Sequence, residues 1–431
     1  MITTRYVRDN LDAIRASLAK RGSDYPLDEL LKADAEWRAM KTRLQELQAQ
    51  RNKASLEISE MKKKGGEIKA SVEALAALKA ELTDMEAKIP VYEERIANLL
   101  WRMPNILHES VPAGKSDRDN PVIRSWGGIR NKTTPTHEEI LGKLGLIDIE
   151  RAAKISGARF YFLKGDLALL EQALIRFVAD EMTRKGYTFI SPPYMMRGKY
   201  YRAAVDLAQF EDALYRIADT KEALEREDYE RLDEDLYLIA TAEHVIAAMH
   251  AEEVFNGKDL PIRYAALSPC FRREAGSHGK DTKGIFRVHQ FNKIEQFIFS
   301  RKEDTWKHFE EMQANAEGIV QRLGLPYRVV EICAGDMGAR GAKSYDIEVY
   351  MPSSGEYREL TSCSNFTDWQ SMRLDIKYDE AGERQYVHAL NATAIPTSRA
   401  LVFIAENYLN SDGSITVPEA LVPYMGKSRI G

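Results

Sequence analysis

Apolar residues in the first quarter of the chain recur at spacings of three and four, the period of a helix that buries one face. Residues 4–22 carry a short stripe of this kind and predict one amphipathic helix. A heptad pattern begins at Leu30, stops at Gly65-Gly66 and resumes from Ile68 to Met103. Two heptad stretches of similar length around a glycine pair predict an antiparallel coiled-coil hairpin over about residues 27–103.

The charges of this hairpin allow two interpretations. Its tip is basic, with Lys62-Lys63-Lys64 and Lys69 around the glycine pair, which suits contact with a phosphate backbone. The alternative is a dimerisation or spacer coiled coil whose charges are only solvated. Because the whole chain has a net charge of −5, nucleic-acid binding requires a local basic patch of this kind.

A second domain follows the hairpin. Residues 104–135 are rich in Pro, Gly, Asp and Ser, as a linker or domain entrance is. Helical and strand patterns then alternate, which predicts an α+β body, and the charged stretch from Arg216 to Tyr237 predicts a solvated surface element. The expected domains are therefore residues 1–103 and 104–431.

The composition is typical of a soluble globular protein, with 44% hydrophobic and 29% charged residues. No apolar run approaches the ~20 residues that span a bilayer, and the first residues lack the apolar core of a signal peptide. Cys270, Cys333 and Cys363 lie far apart, which favours a reducing compartment and argues against a cysteine-based zinc site. We therefore expect a cytoplasmic protein without membrane contact.

Two strand-like runs, Leu267–Glu274 and Arg287–Phe297, flank a turn-like loop, Ala275–Gly284. Residues of one parity share a face of a strand, and one face of the second run carries Arg287, His289, Phe291, Lys293 and Glu295. Arginine suits an anion, a phenyl ring suits a flat base, and glutamate suits an ammonium or hydroxyl group. A nucleotide beside an amino acid would satisfy this set. The alternative is a salt-bridged sheet face that only meets water.

Two further segments carry candidate polar chemistry. In Thr241-Ala242-Glu243 the threonine and glutamate would share a strand face, or the threonine would cap a helix with the glutamate in its first turn. Glu359 and Ser362 offer oxygen ligands of the kind that Mg²⁺ prefers beside phosphate oxygens. The alternative for the second pair is a hydroxyl-rich sheet edge.

A last candidate segment spans His388–Leu401 and predicts a strand followed by a helix. Asn391 and Thr393 share one face of that strand. Arg399 falls in the first turn of the helix, where a cation is electrostatically unfavourable. Its position is understandable if it serves a polyphosphate.

Motif 2 of class II aminoacyl-tRNA synthetases is resembled by one stretch of the chain, which consists of Phe271-Arg272-Arg273-Glu274, the loop, and Arg287-Val288-His289-Gln290-Phe291. Its residues are most similar to those of the seryl-tRNA synthetases. The helix at 169–185 with the strand at 186–195 is similar to motif 1, and His388–Leu401 is similar to motif 3. The resemblance covers nearly the whole chain. It implies an antiparallel sheet flanked by helices, a homodimer, and an N-terminal coiled-coil arm that binds tRNA(Ser).

The activity that this resemblance implies is serine–tRNA ligation. ATP would activate L-serine as seryl-adenylate, and the seryl group would pass to tRNA(Ser), with tRNA(Sec) as an additional candidate acceptor and no DNA partner. Arg272 and Arg399 would be catalytic, on the α- and γ-phosphates, and Glu359 with Ser362 would hold Mg²⁺. The implied serine contacts are Thr241, Ala242, Glu243, Arg272, Glu295, Asn391 and Thr393. The implied ATP contacts are Arg272, Arg273, Glu274, Arg287, Val288, Phe291, Glu359, Leu360, Thr361, Ser362 and Arg399.

One residue departs from the family pattern inside motif 3. Ala392 stands where the family often has glycine, between Asn391 and Thr393. Its methyl group is expected to narrow the pocket or to restrict the backbone angle φ.

Two other functions remain open at this point. One is a ligase of the same superfamily that loads amino acids onto a carrier protein, and such ligases typically lack the tRNA arm. The other is a non-catalytic paralogue that binds or regulates, and it should have lost the arginines and glutamates of the site. The heptad hairpin argues against the first, and the charged residues above argue against the second.

Overall fold

The structure is a computed structural model. It describes residues 3–205, 213–217, 235–274 and 283–431. Most of the predicted loop Ala275–Gly284 and of the charged stretch Arg216–Tyr237 lies outside these ranges. The contacts define two compact units. The first contains the described residues up to Ala19 with Ser23–Pro104, and the second contains Lys20–Gly22 with Asn105–Gly431.

Four helices precede the linker in the part of the chain that the structure describes. They are Thr4–Asp9 (α1), Leu11–Arg21 (α2), Leu27–Lys63 (α3) and Lys69–Arg102 (α4). The prediction of a single helix over residues 4–22 is wrong, because the helix is interrupted at Asn10. The backbone N–H and the side-chain amide of Asn10 each donate to the carbonyl of Tyr6 at 3.0 Å. A short amide side chain that bonds its own backbone in this way ends a helix.

The predicted hairpin is confirmed as two long helices, of 37 residues in α3 and 34 in α4. They run antiparallel, because Glu29 near the start of α3 lies 2.8 Å from Arg95 near the end of α4, and Arg43 lies 3.0 Å from Glu81. Exposed ion pairs of this kind contribute little to stability, because solvent screens them. The main stabilisation therefore comes from buried apolar residues of the two helices. These include Leu30, Leu47, Leu82, Ile89 and Ile96.

The second unit mixes helices and strands. Its helices are His137–Lys143 (α5), Ile149–Ser156 (α6), Gly165–Arg184 (α7), Gly198–Ala204 (α8), Ala242–Met249 (α9), Thr305–Arg322 (α10), Trp369–Arg373 (α11), Thr397–Asn407 (α12) and Val422–Met425 (α13). Its strands are Val122–Trp126 (β1), Ile147–Asp148 (β2), Phe162–Leu163 (β3), Thr188–Ile190 (β4), Met195–Arg197 (β5), Arg216–Ile217 (β6), Leu236–Leu238 (β7), Val254–Asn256 (β8), Ile262–Phe271 (β9), Gln290–Ser300 (β10), Tyr327–Glu331 (β11), Lys343–Met351 (β12), Glu356–Asn365 (β13), Lys377–Glu380 (β14), Glu383–Tyr386 (β15), His388–Pro396 (β16), Ile415–Thr416 (β17) and Arg429–Ile430 (β18).

Eight strands form one sheet in the order β1–β11–β12–β13–β16–β10–β9–β4. Neighbouring strands are antiparallel except at one edge, where β4 runs parallel to β9. The predicted antiparallel sheet is thus confirmed, with one parallel strand added. The strand predicted over residues 186–195, ended by its prolines, is observed as β4, whereas Met195 begins β5 in a different sheet. Pro192 and Pro193 lie between them and lack the N–H groups that a continuous ladder needs.

Alternation along β10 separates two faces of the sheet. Ile294 and Ile298 belong to the main core, with residues of α7, α10 and α12. Phe297 and Phe299 belong to a second core, with residues of α8 and α9. Lys293 and Glu295 have the parity of the second set and lie nearer the start of the strand, so this face carries the charges that build the site.

None of the described helices combines the length and the apolar character that a membrane span requires.

Candidate active site

The charged face of the sheet opens into a cavity of about 140 Å³. Its residues come from distant parts of the chain because β13, β16, β10 and β9 are successive neighbours in the sheet. The cavity is lined by Arg272, Glu274, Phe286, Arg287, Val288, Phe291, Lys293, Glu359, Leu360, Ser362, Thr393, Pro396, Ser398 and Arg399. The structure thus brings together most of the residues that the sequence analysis proposed for ATP.

One part of the cavity wall combines arginine side chains with an aromatic face. The guanidinium carbon of Arg272 lies 5.3 Å from the ring centroid of Phe291, and its Nε donates to the carbonyl of Ala240 at 3.2 Å. Arg287 donates to the Glu274 carboxylate at 2.8 Å. Arginine over a ring is a cation–π arrangement, and it leaves the guanidinium close to any anion that enters beside the ring.

Another part of the cavity wall holds a carboxylate paired with an arginine. Nη1 of Arg399 donates to the Glu359 carbonyl at 2.9 Å and lies 3.3 Å from its carboxylate. The positive charge of Arg399 lowers the pKa of Glu359, whose side chain is 49% exposed, and the charges of Arg272 and Arg287 lower it further. Glu359 therefore stays ionised, and it offsets the unfavourable placement of Arg399 in the first turn of α12.

A second carboxyl lies next to this pair. Asp346 on β12 is in register with Ser362 on β13. Burial raises the pKa of Asp346 well above its ordinary value, and the negative charge of Glu359 raises it further. The two carboxyls therefore differ in acidity, and Glu359 is the one that keeps its charge.

The inner end of the cavity is organised by the carboxylate of Glu295, which is fully buried. Asn391 donates to it at 2.7 Å, and the hydroxyls of Thr393 and Thr241 donate at 3.2 Å each. The ammonium group of Lys293 forms an ion pair with the same carboxylate. Glu295 does not line the cavity itself but lies directly behind two residues that do, Thr393 and Lys293. Such a group can accept hydrogen bonds from a small ligand that carries hydroxyl or ammonium hydrogens.

Thr241 fulfils both of the roles considered for it. It is the N-cap of α9, where its side chain accepts from the backbone N–H of Glu243 at 3.4 Å, and it also donates to Glu295. The carboxylate of Glu243 instead receives Arg340 at 2.5 Å and Gln370 at 3.0 Å. The structure therefore places Glu243 in a buried polar cluster that supports the start of α9. Ala242, the first residue of α9, is completely buried.

Several predicted contacts do not coincide with the described cavity wall. Arg273 and Thr361 are absent from it, although their sequence neighbours line it. Thr361 is buried on the strand next to Ser362, on the opposite parity. The expectation that Ala392 narrows the pocket is wrong, because Ala392 has the opposite parity to Thr393 and its methyl group belongs to the main core.

Some residues in or around the site have no role that could be predicted from the sequence. The alternation of the strand places Lys293 on the charged face but predicts no role for it. In the structure its ammonium group contacts both Glu295 and Thr393. Phe286 lines the cavity and precedes the motif 2 strand. Arg340 and Gln370 are distant in sequence from everything they support, and only the fold brings them together.

Comparison with known proteins agrees with this geometry. A family model described as the tRNA synthetase class II core domain (G, H, P, S and T) matches residues 223–408, and one described as the seryl-tRNA synthetase N-terminal domain matches residues 1–107. The serine–tRNA ligase of Methanoculleus marisnigri is 48% identical over 433 residues, which is 99% of each chain.

Solved structures give the same result. A crystal structure of seryl-tRNA synthetase from Pyrococcus horikoshii complexed with ATP superposes with a TM-score of 0.93 at 42% identity, covering 100% of this chain and 99% of that one. The cytoplasmic serine–tRNA ligase from Naegleria fowleri in complex with AMP superposes with a TM-score of 0.87 at 36% identity, covering 98% and 95%.

The antiparallel sheet and its arginine-lined cavity are those of a class II aminoacyl-tRNA synthetase. Both parts of the chain match one branch of that class over nearly their full length. The chain belongs to the seryl-tRNA synthetase family.

Replacing Lys293 by methionine tests the buried ion pair. We expect Lys293→Met to lower the free energy of unfolding by about 3–5 kcal/mol, because it leaves the buried Glu295 carboxylate without its cation. Guanidinium unfolding followed by circular dichroism measures this. Lys302→Met removes an exposed lysine and should change stability by less than about 0.5 kcal/mol. Equal effects of the two substitutions would contradict the importance of the pair.

Proposed function

We propose that this chain activates L-serine with ATP and transfers the seryl group to tRNA(Ser). The observation that carries the proposal is the Glu295 carboxylate with its four polar partners, set directly behind a cavity lined with arginine. Family membership supports the same activity. ATP is bound in the similar Pyrococcus horikoshii structure, which supports ATP as the substrate that fills the cavity.

Serine recognition would depend on hydrogen bonds to its hydroxyl and ammonium groups. Glu295 is the acceptor, and the hydroxyls of Thr241 and Thr393 complete the pocket. Alanine lacks the hydroxyl and would leave buried polar groups unpaired, a defect that can discriminate by roughly 10⁴–10⁵. Threonine offers the same hydroxyl, so its extra methyl group must be excluded by shape.

In the first step, a serine carboxylate oxygen would attack the α-phosphorus of ATP in line, and the bond to the β-phosphate would break to release diphosphate. Arg272 would bridge the α-phosphate and the serine carboxylate, and Arg399 would bind the γ-phosphate. Phe291 would stack on adenine, with Glu274 near the adenine amino group. Such a step requires positioning and charge stabilisation more than a side-chain nucleophile.

In the second step, the terminal hydroxyl of the tRNA would attack the carbonyl of seryl-adenylate, and AMP would leave. No side chain has to form a covalent bond in either step. The chain's contribution is to hold the carbonyl, the phosphate and the incoming hydroxyl in register.

Magnesium is a further part of the proposal. Mg²⁺ usually takes one or two protein oxygen ligands and completes its shell with phosphate oxygens and water. Glu359, kept ionised by Arg399, and Ser362 both line the cavity and fit this need. Among the described residues no group of three or more His, Cys, Asp or Glu side chains could hold a metal without a ligand. When bound, the ion would neutralise phosphate charge.

The remaining partners are proposed on separate grounds. The hairpin of α3 and α4 would bind tRNA(Ser) through backbone shape and phosphate contacts, and tRNA(Sec) stays an untested second acceptor. A homodimer is supported by exposed apolar residues on the edge strand β4 and in the segment that follows it, which are Phe189, Tyr194 and Met195. A cytoplasmic location is consistent with three free, buried cysteines.

Arg272→Ala tests the adenylation site. We expect it to lower serine-dependent exchange of diphosphate into ATP by about 10³-fold, since it removes the charge that stabilises the developing phosphorane. Circular dichroism and size-exclusion chromatography should show an unchanged fold and assembly. Arg151→Ala, at an exposed arginine of the same unit, is the matched control and should keep wild-type exchange. Wild-type exchange in Arg272→Ala would refute the role.

Neutralising the hairpin tip separates the two steps. Glutamine at Lys62, Lys63, Lys64 and Lys69 should leave exchange unchanged and raise the KM for tRNA(Ser) by about tenfold or more at physiological salt, because phosphate contacts are lost.

The control for the tip variant replaces four exposed lysines of the second unit. These are Lys143, Lys258, Lys302 and Lys307. This variant should have a smaller effect on the KM for tRNA(Ser). A tip variant that loses exchange and charging equally would contradict a hairpin devoted to tRNA.

A further inference from the structure

A buried histidine–glutamate pair lies behind the ATP cavity and has no role in the mechanism above. Glu406 on α12 is completely buried, and His137 at the start of α5 is nearly so. One oxygen of the Glu406 carboxylate receives the backbone N–H of His137 at 3.0 Å and lies 3.2 Å from its Nδ1. The other oxygen receives the backbone N–H of Ser353 at 3.0 Å. The pair therefore joins α5, α12 and the end of β12.

The second ring nitrogen of His137 settles the tautomer. The backbone N–H of Ile285 donates to Nε2 at 3.1 Å. A backbone amide can only donate, so Nε2 must be unprotonated and Nδ1 must carry the hydrogen that faces Glu406. His137 is thus a neutral imidazole that donates on one side and accepts on the other.

His137 holds the backbone of Ile285, which lies just after the motif 2 loop. Ile285 is completely buried and is followed directly by Phe286 and Arg287, which both line the ATP cavity. Gly284, just before it, has φ +71°, and a side chain at this position would overlap the His137 ring. Gly284 and Ile285 therefore pack closely against the imidazole, five residues before β10 begins.

Phe286 extends this support to Arg399. The guanidinium carbon of Arg399 lies 4.8 Å from the Phe286 ring centroid, and that ring packs edge-on against Phe403 of α12 at 5.9 Å. Glu406 follows Arg399 by seven residues, two turns along the same helix, and so lies on the same side of it. Ile285 is thus connected to α12 through His137 and Glu406. Phe286 is connected to the same helix through Arg399 and Phe403.

We propose that His137 is a positioning residue for ATP, acting through the hydrogen bond from Ile285 to its Nε2 that fixes Phe286 and Arg287 in the cavity wall. His137 does not line that cavity and touches no substrate. The inference rests on the proposed function for its kinetic assay, but ATP binding can be measured without it. A purely structural role would affect stability and the fraction of active enzyme while leaving the affinity for ATP unchanged.

Substitution of His137 by glutamine or by asparagine distinguishes the contributions of its two ring nitrogens. Glutamine can place its carbonyl oxygen near the position of Nε2 and still accept from Ile285, whereas asparagine reaches only the position of Nδ1. We expect His137→Asn to raise the KM for ATP in serine-dependent exchange roughly tenfold, the effect of one buried donor left unpaired. The KM for serine should not change. His137→Gln should retain an ATP KM close to that of the wild type.

His308→Asn is the matched control. His308 is also buried and also pairs with a glutamate, Glu311, through Nδ1 at 2.9 Å. That glutamate lies on the same helix, α10, and outside motif 2, so the substitution should leave the KM for ATP unchanged. The dissociation constant of ATP from the full chain, measured by calorimetry without serine, should follow the same order as the KM values.

The outcomes separate this proposal from the proposed function. An unchanged ATP affinity in His137→Asn, with only a lower melting temperature or a lower kcat, would overturn it. Equal weakening in the asparagine and glutamine variants would also overturn it, because the Nε2 acceptor would then not be the cause. A wild-type chain without serine-dependent exchange would refute the proposed function alone, and calorimetry would still decide the role of His137.

Discussion

A carboxylate buried without access to water is stable only if the protein surrounds it with hydrogen-bond donors and a positive charge. Glu295 is such a group. Its partners come from its own strand through Lys293, from β16 through Asn391 and Thr393, and from the N-cap of α9 through Thr241. Satisfying this one charge thus fixes the relative positions of three elements. The same arrangement leaves a strong acceptor beside the space where a small ligand with a hydroxyl and an ammonium group would lie.

The arginine-lined part of the cavity follows the opposite principle. Arg272, Arg287 and Arg399 each have a carboxylate, a carbonyl or an aromatic ring to hold them, but they remain at the cavity surface. Positive charges that are oriented in advance need little reorganisation when phosphate charge develops. The site therefore combines a buried negative centre with an open positive lining, and the sheet sets the distance between them.

Much of the fold and of the candidate site could be predicted from the sequence. The heptads of the hairpin and the glycine pair at its tip are local signals, and the two long helices follow them. The alternation through Phe291, Lys293 and Glu295 is found in the strand β10. The remaining features depend on partners that are far apart in the chain. The break at Asn10 depends on which carbonyl its amide reaches, and Arg340 reaches Glu243 only after the sheet has formed. The expectation for Ala392 is wrong because Ala392 and Thr393 point to opposite faces of β16, and the face of Ala392 belongs to the main core.

A crystal structure with a non-hydrolysable analogue of seryl-adenylate is the most direct test of this account. The account predicts that the seryl hydroxyl or ammonium group lies within hydrogen-bond distance of the Glu295 carboxylate, with the phosphate beside Arg272 and the adenine on Phe291. An analogue bound in this cavity without contact to Glu295, or bound elsewhere on the chain, would contradict it.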